Sequence, residues 1–137
     1  MTEPREDVAY RDGSWILLVD DEPEVSTVYQ AILQSEGYRV VRAAGGFEAL
    51  CRLRAAAVAP RLILLDLRMP GVDGHEFHRQ KSRLRAYADV PVVVVSGAVG
   101  RDGRTGDPVP PAADVKAVLP KPVPVDRLLA TVAAWTR

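Results

Sequence analysis

The sequence predicts an α/β domain: a parallel sheet wound with helices on both faces. Two observations carry this. Five short runs rich in Val, Ile and Leu recur along the chain: WILLV (15–19), YRVV (38–41), LILL (62–65), VVVV (92–95) and VKAVL (115–119). The first, third and fourth are almost uninterrupted, as in strands buried on both faces of a parallel sheet. Between the runs the apolar period changes to that of amphipathic helices, and alternating strands and helices imply right-handed crossovers.

Each element has its own local reason. Val25, Val28, Tyr29, Ile32 and Leu33 follow the i, i+3, i+4, i+7, i+8 spacing of an apolar helical stripe. Pro23 stands where a first turn tolerates proline, and Gly37 where a helix stops. Phe47 to Leu53 and Asp73 to Leu84 predict two less regular helices, the second started by Asp73-Gly74. Val125, Leu128, Leu129, Val132 and Ala133 repeat the stripe near the C-terminus, behind Pro124. The fourth crossover breaks the rhythm: Gly97 to Pro111 carries four glycines and three prolines. Those residues are poor in a helix interior, so an irregular segment is expected, with at most a short helix over about 111–116.

Composition narrows the possible functions. The chain has 137 residues, enough for one domain with a core, and 47% of them are hydrophobic. Eighteen basic and eighteen acidic side chains cancel. That balance argues against nucleic acid or an anionic membrane as main partner, since both reward a basic excess. No apolar stretch approaches the roughly 20 residues of a membrane span. A single cysteine, Cys51, cannot form an internal disulfide, which fits a reducing cytosol. The first 13 residues, MTEPREDVAYRDG, are polar and acidic, unlike a signal peptide, and read as a flexible arm before a domain over 14–137.

In doubly wound folds ligands bind beyond the carboxyl ends of the strands. The residues that follow the strands are Asp20-Asp21-Glu22, Asp66, Ser96 and Pro120-Lys121-Pro122. Parallel strands bring them to one edge, which then holds at least three carboxylates, a hydroxyl and an ammonium. Adjacent carboxylates repel one another, and an all-oxygen set suits Mg²⁺, which takes only one or two carboxylates directly. A remaining carboxylate can attack phosphorus to give a mixed anhydride, its oxygens neutralised by metal and lysine.

These residues form a known pattern. The acidic pair Asp20-Asp21 after strand one, DLRMPGVDG (66–74) after strand three, Ser96 after strand four and Lys121-Pro122 after strand five occur in order at strand ends. Over Trp15 to Arg137 the chain resembles a response-regulator receiver domain. The resemblance implies a flavodoxin-like, five-stranded parallel sheet in the order 2-1-3-4-5. It implies a phospho-acceptor of two-component or phosphorelay signalling, a signalling domain rather than an enzyme, charged by a histidine kinase or histidine phosphotransfer protein. By this resemblance Asp66 is the phospho-acceptor. Mg²⁺ would be bound by Asp21 directly, by Asp20 largely through water, by Asp66 and by the backbone carbonyl of Arg68. Ser96 and Lys121 would contact the phosphoryl oxygens, and Lys121-Pro122 would be a cis peptide that aims the lysine. One position departs: Val118 stands where the family usually carries Tyr or Phe as a rotameric reporter. Together with the Gly/Pro-rich crossover it implies an altered output surface.

The bland readings are weighed beside these. Asp20-Asp21 can cap the following helix, but a cap explains one acid and not a pair plus Asp66. Asp66 alone can be a turn residue, and Ser96 can satisfy loop backbone groups. His75 and His78 lack the partners of a zinc set and read as exposed helix residues. Arg79, Lys81, Arg83 and Arg85 read as a solvated helix face, and Cys51 as packed rather than reactive. AVGRDGRT (98–105) lacks the first glycine and the lysine of a phosphate-binding P-loop. Two alternatives remain: a receiver-like protein-binding module that no longer switches, and a phosphatase with an aspartyl-phosphate intermediate. Against the phosphatase, the first strand lacks a D-x-D arrangement. The chain ends just after the last helix, so a stand-alone regulator or phosphorelay intermediate is expected.

Overall fold

The computed structural model describes residues 15–69, 71–97 and 112–136. The N-terminal arm (1–13), most of the Gly/Pro-rich crossover and the P-loop-like stretch lie outside the described residues. The elements are β1 (Trp15–Val19), α1 (Pro23–Ser35), β2 (Arg39–Ala43), α2 (Gly46–Ala55), β3 (Leu62–Leu65), α3 (Gly74–Ser82), β4 (Val92–Ser96), β5 (Val115–Pro120) and α4 (Val125–Trp135). All five strands are parallel and ordered β2-β1-β3-β4-β5.

The uninterrupted apolar strands are explained by the two cores they separate. Trp15, Leu17 and Val19 of β1 face Leu50 and Leu53 of α2 and Phe77 of α3. Ile16 and Leu18 face Tyr29 and Leu33 of α1 and Leu128 and Val132 of α4. Successive side chains of a strand point to opposite faces, so both sets must be apolar. Val28 and Val125, although both belong to the predicted stripes, are half exposed, while Leu33, Leu128 and Val132 are fully buried. Cys51 is also exposed: it follows Leu50 by one residue, about 100° around α2 and away from the buried side.

Helix ends follow the local sequence. Pro23 occupies the first turn of α1. Gly37, at φ +92°, closes the helix: its N–H donates to Gln34 and the N–H of Tyr38 to Leu33, a Schellman pair that satisfies orphan carbonyls. That closure delays β2, which starts at Arg39 rather than Tyr38 and runs on to Ala43. Asp73 caps α3 by accepting from the N–H of Glu76 at 2.9 Å. In the fourth crossover no helix stands among the described residues. Ala112 to Asp114 form a turn that leads directly into β5. Pro120 is the last residue of β5, an edge strand, where its missing N–H is tolerable.

The basic face expected on α3 is not uniformly solvated. Lys81 is fully buried, and its Nζ lies 2.7 Å from Asp114 Oδ2 while donating to the Ala88 carbonyl at 2.9 Å. His78, expected to be exposed, is buried beside it, with Nε2 2.9 Å from the same carboxylate oxygen. The physical reason is position: Phe77, His78 and Lys81 share the side of α3 that packs inward, and there charge is tolerable only when paired. Burial pushes the Asp114 carboxyl up, but the hydrogen bonds from Lys81 and His78 outweigh it and hold it below its ordinary 3.8.

Two outcomes are expected. Gly74→Ala places a Cβ 2.3 Å from the Asp66 carbonyl oxygen and 2.5 Å from the Leu67 Cα, so urea melts should show a loss of about 1–3 kcal/mol. Because the Asp114 pKa is depressed, its stabilisation is complete above pH 3.8 and is lost as pH falls through the lower folded-state value. Asp114→Asn should therefore cost about 3 kcal/mol at neutral pH, a gap to wild type that closes in acid melts below that pH.

Candidate functional site

The site forms where β1, β3 and β5 end. Asp20 follows β1 directly and is held there by its N–H, which donates to the Ala43 carbonyl at 3.0 Å. Asp66 follows β3, its N–H donating to the Val19 carbonyl at 2.9 Å. Because β1 and β3 pair in register through Val19 and Leu65, the two aspartates are neighbours on the sheet edge. Both are buried. Backbone turns then orient them: Asp20 Oδ1 accepts from the N–H of Glu22 at 2.8 Å, and Asp66 Oδ1 from the N–H of Arg68 at 3.1 Å. The turn behind Asp66 depends on glycine twice. Gly71 has φ +73°, and Gly74 lets the start of α3 lie against the Asp66–Leu67 backbone.

Lys121 enters from β5. The Lys121–Pro122 peptide is cis. Its Nζ lies 2.6 Å from Asp20 Oδ2, 3.2 Å from Asp66 Oδ2 and 3.2 Å from Glu22 Oε1. Burial opposes the ammonium charge, but the hydrogen bond that Lys121 donates to Asp20 and the charges of Asp66 and Asp20 prevail, raising the Lys121 pKa above its ordinary value. Asp20 is raised as well, chiefly by burial, with the neighbouring Asp66 charge adding to it against the pull of Lys121. Three carboxylates sharing one cation leave an excess of negative charge.

Asp20, Asp21, Glu22 and Asp66 each offer a carboxylate oxygen, and these atoms lie within 4.8 Å of one another. An all-oxygen, net-negative set of that span fits a hard dication such as Mg²⁺. The structure thus brings together Asp20, Asp21, Asp66 and Lys121, and adds Glu22. Glu22 follows the acidic pair directly, and that adjacency was the available signal. Ser96 ends β4 with its backbone beside Pro120, while its side chain lies outside the described residues. Arg68 is exposed just beyond β3. Val118 is partly buried and packs against the core on the α2–α3 side. The inward-facing charges of α3 could have been found from the helical period, because Lys81 falls four residues after the core residue Phe77.

The family model described as the response regulator receiver domain matches residues 16–133, and the chain belongs to that family. Receiver domains are signalling domains that work with histidine kinases or phosphotransfer proteins. Protein PilH of Pseudomonas aeruginosa is 29% identical over 119 residues, covering 87% of this chain and 94% of that protein. The DNA-binding dual master transcriptional regulator RpaA of Synechocystis sp. is 34% identical over 122 residues; these cover 89% of this chain but 48% of RpaA, so the chain spans about half the length of that relative. Among solved structures, the receiver domain of the sensor histidine kinase PA1611 from Pseudomonas aeruginosa superposes with a TM-score of 0.73 at 28% identity. It covers 90% of this chain and 98% of that one, and it holds a magnesium ion coordinated in its active site cleft. No helix among the described residues is long and apolar enough to cross a membrane.

Charge crowding has a measurable consequence. A buried Asp whose pKa is raised destabilises the folded state once ionised. Asp20→Asn should raise Tm in metal-free buffer by a few degrees, on the order of 1 kcal/mol. Adding Mg²⁺ should then stabilise wild type more than the variant, read by calorimetry. A lower metal-free Tm in the variant would contradict the crowding.

Proposed function

We propose that this chain is a phospho-accepting receiver in which Asp66 takes a phosphoryl group from the phosphohistidine of a cytoplasmic histidine kinase or phosphotransfer protein. A carboxylate oxygen of Asp66 bonds to phosphorus as the donor's N–P bond breaks, and the imidazole nitrogen keeps the electron pair. The observation that carries this reading is Lys121 Nζ reaching the carboxylates of both Asp20 and Asp66 at the carboxyl edge of the sheet. Lys121 is the protein's own cation for the oxygens of the transferred group, and Ser96, at the end of β4, is the expected hydroxyl partner. Asp20, Asp21, Asp66 and the backbone carbonyl of Arg68 would hold Mg²⁺, whose charge, when bound, offsets that of the phosphoryl oxygens. The buried backbone of Asp66 restricts its carboxylate to one approach, so positioning is built in before the donor arrives.

A second reading is favoured by Val118. A small β-branched side chain, partly buried, has no ring to move between inward and outward positions. Under this reading the module binds its partner equally whether or not Asp66 is charged.

Incubation with Mg²⁺ and acetyl phosphate should add one phosphoryl mass to the intact protein, and Asp66→Asn should abolish it. Labelling that survives in that variant would reject Asp66 as acceptor. Lys121→Ala should slow labelling by on the order of a hundredfold or more, as for loss of one charge-stabilising contact in a transfer site. Amide exchange over 112–121 that is unchanged by phosphorylation would favour the non-switching reading.

A further inference from the structure

The buried charges of α3 form a closed mechanical circuit with the acceptor pocket. At its start α3 leans on the backbone behind Asp66: the N–H of Gly74 donates to the Leu67 carbonyl at 3.0 Å, and there is no room for a Cβ against the Asp66 carbonyl. Toward its other end His78 and Lys81 both reach the carboxylate of Asp114, with Nε2 at 3.1 Å and 2.9 Å from its two oxygens and Nζ at 2.7 Å. Asp114 also accepts from the N–H of Val92 of β4 through its main-chain oxygen, at 2.7 Å. It is therefore tied to α3 and β4 at the point where the chain enters β5.

Directly after this knot the β4–β5 register shifts, with Val92 opposite Val115 but Val93 opposite Ala117. Lys116, in the bulge, lies over the ring of Trp135 on α4. From there β5 runs to Lys121, whose Nζ returns to Asp66. The path Asp66, α3, Asp114, β5, Lys121, Asp66 is unbroken.

We propose that the His78–Lys81–Asp114 clasp is a positioning element for the acceptor pocket, making the backbone behind Asp66 and the strand that carries Lys121 move as one body. This rests on the reading of Asp66 and Lys121 as the phosphoryl site. Packed elements carry such coupling when they have discrete arrangements, and coupling between two sites is reciprocal. Breaking the clasp loosens the pocket's hold on a phosphoryl group, and filling the pocket alters the clasp. An apolar helix face would pack here without charge. Two buried donors on one carboxylate specify a single alignment of α3 against β5 that aliphatic side chains do not.

The test uses the whole chain with Mg²⁺ and beryllium fluoride, which mimics a phosphoryl group on a carboxylate. The sequence has two histidines, so His75→Gln leaves the His78 ring as the sole imidazole signal in ¹H–¹⁵N spectra. That signal should shift as the probe saturates the pocket, an effect that a merely structural clasp lacks. Asp114→Asn should weaken probe binding about fivefold or more. Since Asp114→Asn leaves a buried lysine unpaired, H78L/K81L/D114A provides the folded control: all three charges leave together, and Tm stays near wild type. Probe binding should be weakened in this variant too. A His78 signal that ignores the probe, or wild-type affinity in the folded triple variant, would overturn the clasp's role while leaving the pocket intact. Failure of wild type to bind the probe, or binding that persists in Asp66→Asn, would instead remove the pocket reading, and the proposal with it.

Discussion

One ammonium group holds the functional edge of this molecule together. Lys121 Nζ sits among Asp20, Asp66 and Glu22, and without it those carboxylates would face one another across a partly dry pocket. Its charge is favoured because the anions around it outweigh the cost of burying it. The arrangement depends on the sheet beneath. Strands apolar on both faces cannot shift without exposing core, so the residues that follow them are fixed relative to one another. The acidic excess left after Lys121 is counted suits the site to a hard divalent cation.

A second knot of charge lies toward the other end of α3 and obeys different physics. At the pocket three carboxylates share one cation, whereas Asp114 alone serves both Lys81 and His78. The pocket carries more negative charge than its one cation offsets, while in the clasp a single carboxylate is matched by its two partners. Such a pair adds little to net stability over an apolar pack, but leaving either partner alone is expensive. Its value is in specifying how α3 sits against the start of β5. The same helix lies against the backbone of Asp66 through Gly74, where a single methyl group would collide.

Much of this was legible in the sequence. Strand runs without alternation and helical stripes predicted a doubly wound parallel sheet, and the order 2-1-3-4-5 that the family resemblance implied is what the sheet shows. Asp73 as a cap and Gly37 as a helix stop were readable because capping depends on the local chain. Less legible was which residues at a stripe's margin meet the core. Val28 and Val125 fit the period yet face water, while the polar Lys81 and His78 sit on the inward side of α3 and are buried. Hydropathy assigns lysine to the surface. Only the arrival of Asp114 from a distant part of the chain makes its burial possible.

By itself the sequence determined the strand and helix pattern, the family resemblance and which acids and lysine follow the strands, since each follows from local periodicity or from residue order along the chain. What the tertiary structure alone decided was pairing: that Lys121 reaches Asp20, Glu22 and Asp66 together, and that Lys81 and His78 turn inward to Asp114. Pairing across long sequence separations depends on distances between side chains, and those exist only once the chain has packed.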